Sequence, residues 1–235
     1  MSGVATGALR AAKAALRGEL RKRIASIPHE ELSRQSKLVT EKVLEHSRFK
    51  SSRRVSLYLS INEEIRVQTW GILEQMLEQD KECFVPKFYP NSHQMTMLKV
   101  YSLEDYAKLV ADDWTVKPPC DEDLQREDAA TTEDYAKLVA DDWTVKPPCD
   151  EDLQREDAAT TGGLDLMIVP GLGFTKRGHR LGGGKGYYDA YIQNCSLDPH
   201  GRPYTISLAF KEQILHSIPC DVHDFMVDEV IYPNE

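Results

Sequence analysis

The sequence predicts an α/β fold, with a mostly parallel twisted sheet and helices on both faces in a Rossmann-like three-layer arrangement. Short β-branched and aromatic runs alternate along the chain with segments of helical periodicity. The run LDLMIVP at 164–170 is almost continuously apolar, as is typical of a strand buried within a parallel sheet. The glycine-containing GLGF follows at once, and open α/β sheets place their ligands at such strand ends.

The elements follow from local patterns read in order along the chain. Ser26 and Pro28 supply a cap and a first-turn proline for the second helix. The N-terminal half is predicted to contain a helix at 8–26, a helix to His46, a strand at 54–60, a helix at 67–79 and strands at 82–88 and 94–100. The C-terminal half is predicted to contain the strand at 164–170, a helix from 187, a strand at 203–210, a helical turn at 211–218 and a last strand within 226–232.

Length and composition favour one globular domain over residues 1–235. The chain is 41% hydrophobic and 29% charged, a composition that disfavours disorder. Its net charge of -9 disfavours nucleic-acid binding as the main function. Five cysteines without a C-x-x-C pair favour a reduced, cytoplasmic protein, and no apolar run approaches the length of a membrane helix. We therefore expect small-molecule partners, no nucleic acid, no membrane and a monomer.

A segment of 29 residues occurs twice in tandem, at 104–132 and 133–161, without a single difference. Repeat architectures use three or more copies that diverge, so this is a recent duplication or a sequence-assembly error. Each copy carries nine acids and three bases, so the acidity of the chain is largely a by-product of the duplication. We expect one copy to dock and the other to be surplus, since long surface insertions cost little.

The stretch RLGGGKGYYDAY at 180–191 is the strongest candidate site. It is neither a P-loop nor a dinucleotide fingerprint, because Gly186 and Tyr187 stand where those motifs need other residues. Its glycines would nevertheless let backbone N–H groups approach phosphate oxygens at a helix N-terminus, and Arg180 and Lys185 add positive charge. A surface loop with incidental bases is the competing interpretation.

Two further features could complete an anion and metal site. Asp189 is either a favourable first-turn acid or a Mg²⁺ ligand beside phosphates, and a metal would need a second carboxylate from Asp224, Asp228 or Glu229. The N-terminal segment is basic and has no acid before position 19, which suits either a mitochondrial presequence or an amphipathic helix. In the helix, Lys13 and Arg17 would share one face and reach an anion together.

These motifs together resemble the 5-formyltetrahydrofolate cyclo-ligase family. The similarity rests on RLGGGKGYYDAY after LDLMIVPGLGF, on KAALRGELRKR near the start, on LYLSINEEI, and on LAFKEQI and VDEVIY near the end. It covers essentially the whole chain apart from the surplus copy. The resemblance implies ATP- and Mg²⁺-dependent closure of 5-formyltetrahydrofolate to 5,10-methenyltetrahydrofolate, in which the formyl oxygen attacks the γ-phosphate and N10 then expels phosphate.

The resemblance also implies roles for individual residues. Lys185, Arg180 and Tyr187 would be the catalytic residues, and Asp189 and Asp224 would bind Mg²⁺. ATP would contact Lys13, Arg17, Arg180, Leu181, Gly182, Gly183, Gly184, Lys185, Gly186, Tyr187 and Tyr188. The folate would contact Leu59, Glu64, Trp143, Gly183, Gly184, Lys185, Gly186 and Tyr187, with Glu64 on the pterin N–H groups and Tyr187 beside the pterin rather than in the core.

The sequence departs from the family pattern at two places. Gly183 replaces a position that is often larger in the family, so a side chain is missing from the folate-facing loop. The duplication offers both Trp114 and Trp143 for one tryptophan position, and we favour Trp143 because its copy leads directly into the strand at 164–170.

Alternatives to this interpretation remain open at the level of sequence. A non-catalytic folate- or nucleotide-binding relative would keep the fold without turnover, and a small-molecule kinase would keep the phosphate cradle but leave a phosphorylated product. The match of the basic N-terminal helix to the family's ATP-contacting segment favours a cytoplasmic location over a mitochondrial one.

Overall fold

The computed structural model describes residues 2–60, 66–89, 94–111, 155–197, 199–221 and 224–233. The helices are α1 (Ser2–Ala25), α2 (His29–Glu45), α3 (Ser47–Ser51), α4 (Trp70–Glu78), α5 (Leu103–Ala111) and α6 (Tyr187–Cys195). The strands are β1 (Arg54–Ser56), β2 (Glu82–Phe88), β3 (Met95–Val100), β4 (Leu166–Ile168), β5 (Gly173–Thr175), β6 (Arg180–Leu181), β7 (Tyr204–Leu208), β8 (Ile214–Leu215) and β9 (Glu229–Ile231).

The predicted α/β class with a mostly parallel sheet is confirmed. Over the described residues the main sheet has the order β3-β2-β1-β4-β7-β9, and all neighbouring pairs are parallel except β2 with β3. Alternation along each strand sends side chains to opposite faces, so Leu166 and Ile168 join one core cluster while Met167 and Val169 join another. Helices α2 and α4 cover the first face, and α6 covers the second.

Several element predictions need correction in detail. The predicted strand at 54–60 is shorter in the structure, because β1 ends at Ser56, although Leu57 N–H still donates to the Phe84 carbonyl of β2. Pro28 occupies the N-cap position of α2, and the Ser26 hydroxyl donates to the Arg23 carbonyl instead of capping that helix. The segment at 211–218 forms only a 3₁₀ turn followed by β8.

A small second sheet was not predicted from the sequence. Its order is β6-β5-β8, and its strands are only two or three residues long. Strands this short show no periodicity that a sequence pattern could reveal. The small sheet matters for function because β6 delivers the chain into the glycine stretch at 182–186.

The two ends of the duplicated region contact each other in the fold. Helix α5 comes from the start of the first copy, and Arg155 and Glu156 come from the end of the second. The Arg155 guanidinium donates to both carboxylate oxygens of Asp105 at 2.6 and 2.7 Å, and Lys99 N–H donates to the Glu156 carbonyl at the edge of β3. The described contacts therefore come from both copies, and the surplus of one copy's length stays a prediction.

Among the described residues, no helix combines the length and the apolar character that crossing a membrane requires.

Candidate active site

The site lies where the strand order of the main sheet changes direction. From β1 the chain moves through α4 to β2 on one side, whereas β4 pairs with β1 on the other side. A crevice opens at such a switch point, beyond the carboxyl ends of the two strands. Leu59 lies just after β1, and the loop of Pro170 and Gly171 comes just after β4.

The glycine stretch joins β6 to the N-terminus of α6. Gly184 has φ +109° and Gly186 has φ +72°, both in the region that favours glycine, and Gly186 is the N-cap of α6. Glycine offers no side chain to cap the first turn of α6, where helices have N–H groups without partners inside the helix. This arrangement suits phosphate oxygens, with the positive end of the helix dipole directed toward them.

Helix α1 brings two bases to the glycine stretch. Arg17 Nε donates to the Gly182 carbonyl at 2.9 Å, and a Cβ on Gly184 would lie 3.5 Å from the Arg17 guanidinium carbon. One helical turn earlier, Lys13 Nζ lies 2.7 Å from Oδ1 of Asp224 and 2.5 Å from Oδ2. The predicted amphipathic helix therefore does carry both bases on the face toward the site, next to the half-buried Lys185.

Arg180 is buried beneath the glycine stretch instead of projecting from it. Its side chain is 4% exposed and donates to Asp189 Oδ2 at 2.7 Å and to the Pro170 carbonyl at 3.1 Å. A Cβ on Gly182 would lie 2.6 Å from Arg180 Nη1, and one on Gly171 would lie 3.1 Å from its Cγ. These two glycines make room for the guanidinium, a role that the sequence alone did not show.

The two carboxylates proposed for Mg²⁺ lie on adjoining segments. Phe225 N–H, which directly follows Asp224, donates to Asp189 Oδ1 at 3.2 Å. Asp221 N–H donates to Asp224 Oδ2 at 2.6 Å and fixes that carboxylate, a contact that sequence reasoning missed. No group of three or more His, Cys, Asp or Glu side chains suited to a metal occurs among the described residues.

The other two candidate carboxylates, Asp228 and Glu229, lie near the amino ends of the parallel strands β7 and β9. Asp228 accepts hydrogen bonds from Thr205 N–H and Oγ1 at the start of β7. Glu229 contacts His46 Nε2 at 3.0 Å. Only Asp224 of the three is therefore placed beside Asp189.

The aromatic residues that open α6 are part of the core. Tyr187 is 4% exposed, and its ring centroid lies 4.9 Å from that of Phe88. Burial raises the pKa of the Tyr187 hydroxyl, so it remains protonated at neutral pH. The expectation that Tyr187 lies outside the core is therefore wrong, although its contact with a pterin stays a prediction. Tyr188 is also buried, with the Arg180 guanidinium carbon 5.9 Å from its ring centroid.

The folate-facing predictions are only partly covered by the described residues. Leu59, which follows β1, is 4% exposed and packs in the core cluster of the first face, so its contact with folate stays a prediction. Gly183 is half-buried within the stretch. Glu64 and Trp143, together with Trp114, lie outside the described residues, so their roles stay predictions.

Comparison with known proteins places the chain within a family. The sequence model of the 5-formyltetrahydrofolate cyclo-ligase family matches residues 9–139 and 129–233. These two matches overlap close to the junction of the two copies at 132 and 133.

Relatives match over nearly their whole length. The chain is 40% identical to a mouse protein named 5-formyltetrahydrofolate cyclo-ligase over 94% of this chain and 93% of that one. It is 32% identical to a probable enzyme of that name from Caenorhabditis elegans, over 97% and 96%. An Arabidopsis thaliana relative named as the mitochondrial form is 28% identical over 94% of this chain and 74% of that protein.

The fold is shared with solved structures. A 5,10-methenyltetrahydrofolate synthetase from Aquifex aeolicus superposes with a TM-score of 0.60 at 24% identity, covering 93% of this chain and 88% of the other. One from Mycoplasma pneumoniae gives 0.59 at 18% identity, covering 94% and 98%. At these sequence identities, the structural similarity shows that the fold is shared.

Proposed function

The chain belongs to the 5-formyltetrahydrofolate cyclo-ligase family of enzymes, and on that premise we propose that it converts 5-formyltetrahydrofolate to 5,10-methenyltetrahydrofolate with ATP and Mg²⁺. One observation carries the ATP dependence. The glycine stretch leads into the N-terminus of α6, and Arg17 of α1 donates a hydrogen bond to its Gly182 carbonyl. The carboxylates of Asp189 and Asp224 lie on adjoining segments nearby. This combination of N–H donors, bases and acids is suited to a triphosphate with its metal.

The reaction requires two bond exchanges. The formyl oxygen attacks the γ-phosphorus of ATP and ADP leaves. N10 then attacks the activated formyl carbon and loses its proton, and phosphate departs with the former formyl oxygen and takes up that proton. Because little covalent chemistry is left to the protein, its task is to position the two substrates and to neutralise charge on the transferred phosphoryl group.

The bases and the helix terminus would share the phosphate charge. We assign Arg17, Lys185 and the first N–H groups of α6 to the triphosphate, because they lie on or beside the glycine stretch. The glycines of this stretch let phosphate oxygens approach the backbone closely. Arg180 is assigned to a positioning role, because its buried guanidinium is engaged with Asp189. Arg180 would hold the Asp189 carboxylate in place.

The two carboxylates beside the glycine stretch are suited to a Mg²⁺ ion that binds together with the nucleotide. Asp189 and Asp224 provide two carboxylates on adjoining segments, and Mg²⁺ in nucleotide sites is commonly bound through one or two carboxylates together with phosphate oxygens. When bound, the metal would neutralise charge on the β- and γ-phosphates. The residues of this chain would set its position through the Asp221 and Phe225 backbone contacts.

The folate would occupy the crevice beside Leu59, at the carboxyl end of β1, with its formyl group toward the glycine stretch. The apolar wall given by Leu59 and Tyr187 would exclude water from the activated intermediate, which otherwise hydrolyses. A small-molecule partner, a monomeric state and a cytoplasmic location are part of the same proposal.

Substitution of Lys185 tests the assignment of the phosphate site. We expect Lys185→Ala to weaken ATP binding and to lower kcat by 10² or more, because a positioned cation on a transferring phosphoryl group is worth that much. Lys37→Ala removes the same charge from an exposed position of α2 and serves as the matched control. Calorimetry would measure ATP binding, and absorbance of the methenyl product would measure turnover. Near-normal turnover in Lys185→Ala would remove that residue from the site.

A further inference from the structure

Both carboxylates assigned to Mg²⁺ are already paired with a base, but the two pairs differ in character. Arg180 is 4% exposed and held by two further constraints, the Pro170 carbonyl and the glycine beside its Nη1, so its pair with Asp189 is fixed. Lys13 is 15% exposed and its partner Asp224 is 29% exposed. A lysine ammonium on a flexible four-carbon stem can change partners where a locked guanidinium cannot.

Lys13 also lies within reach of the phosphate site. It precedes Arg17 by one turn of α1, so both side chains leave the same face of the helix. Arg17 already contacts the glycine stretch through the Gly182 carbonyl. A swing of the Lys13 side chain from Asp224 toward that stretch needs no movement of the helix.

Without nucleotide, the described side chains provide few ligands for a metal ion. The described residues contain no cluster of three or more suitable side chains, and one of the two carboxylates is neutralised by Lys13. Mg²⁺ dehydrates reluctantly and holds few protein ligands, so it gains most when phosphate oxygens complete its shell.

We propose that Lys13 is the resident counterion of Asp224 and is exchanged for Mg²⁺ when nucleotide binds. Without nucleotide, Lys13 occupies the carboxylate and keeps metal affinity low. The triphosphate attracts Lys13 to its own oxygens, and Asp224 is released to the metal at the moment when phosphate ligands become available. The exchange keeps a cation beside Asp224 throughout and couples metal binding to nucleotide binding. It rests on the proposed function, because it uses the same site.

The coupling has a direct signature in metal binding without nucleotide. We expect Lys13→Met to bind Mn²⁺, used as a paramagnetic probe, about tenfold more tightly than the parent chain, within the range typical of coupled sites. Arg17→Met is the matched control, because it removes the same charge from the same helix one turn further along, where the side chain contacts the Gly182 carbonyl. Electron paramagnetic resonance of free Mn²⁺ gives both affinities, and circular dichroism checks that each variant is folded.

The reciprocal signature appears in nucleotide binding without metal. In excess EDTA, Asp224→Asn should bind a non-hydrolysable ATP analogue more tightly than the parent, because Lys13 no longer has a competing partner. In the Lys13→Met background the same Asp224→Asn change should give no gain, since the double-mutant cycle isolates the interaction between the two residues.

Three results would overturn the exchange. Mn²⁺ affinity that is unchanged or lower in Lys13→Met contradicts it, and so does an equal gain in Arg17→Met, which would indicate general electrostatics. A gain from Asp224→Asn that persists in the Lys13→Met background contradicts it as well. Failure of the proposed function looks different, because then the parent chain would give no methenyl product in the presence of ATP and Mg²⁺, whatever the Mn²⁺ affinities of the variants.

Discussion

Deletion of residues 112–140 removes 29 residues and restores a single copy of the duplicated segment without touching any residue that the structure describes. The structure connects Ala111 to Arg155 through 43 residues, at 112–154, whereas the deleted chain would connect them through 14. The Asp105–Arg155 pair and the contact of Glu156 with β3 are kept at both ends. The deletion therefore tests whether a single composite copy is sufficient for the fold.

The expected effect follows from loop entropy. From the sequence, we expect the surplus copy to add chain length without docking. Each doubling of loop length then costs about 0.6 kcal/mol, so a threefold shortening should stabilise the fold by about 1 kcal/mol. For a chain of this size that corresponds to a rise in Tm of about 2–4 °C. The net charge would fall in magnitude from -9 to -3, since the segment carries nine acids and three bases.

Urea unfolding followed by circular dichroism measures the difference directly. A control chain in which residues 112–140 are replaced by 29 glycine and serine residues keeps the loop length and should unfold like the parent. A loss of about 1 kcal/mol or more in the deleted chain, with the control close to the parent, would refute the reasoning. It would show that the surplus residues contribute contacts of their own.

Two further predictions concern particular contacts. Gly182→Ala should lower kcat at least tenfold, because its Cβ would lie 2.6 Å from Arg180 Nη1, and displacing the guanidinium would break the Nη1 hydrogen bond to the Pro170 carbonyl and disturb the Nη2 hydrogen bond to Asp189. Steady-state kinetics would check this, with the thermal midpoint as a folding control, and unchanged kinetics would contradict it. Arg155→Met should flatten the acid dependence of stability, since the Arg155 hydrogen bonds hold the pKa of Asp105 below its ordinary value. The stabilisation from that pair is present at neutral pH and is lost as pH falls below about 4 through the folded-state pKa; urea unfolding at pH 7 and pH 3 would measure the change, and an equal loss at both values would contradict it.

The sequence predicted most elements of the main sheet in their order along the chain, because these strands and helices carry strong periodic patterns. The apolar run at 164–170 correctly indicated the buried strand β4. The antiparallel hairpin of β2 and β3 also lay within the predicted strands. The two-residue strands of the small sheet carried no such pattern, so they appeared only in the structure.

The arrangement of the site was harder to predict, since it depends on contacts between distant parts of the chain. Lys13 and Asp224 are separated by 211 positions, and nothing local indicates that they form an ion pair. The motif placed Arg180 among the phosphate ligands, whereas its burial depends on space left by Gly171 in another loop. Residue types therefore predicted the chemistry of the site, and the packing decided which groups are accessible to a ligand.

Absorbance of the methenyl product in the near ultraviolet tests the central claim most directly. Purified protein would be mixed with 5-formyltetrahydrofolate, ATP and Mg²⁺, and each component would be omitted in turn. The proposed function predicts a rise that requires all three components, with one ADP and one phosphate released for each methenyl group formed. A rise without ATP, or no rise with the complete mixture and a folded protein, would contradict it.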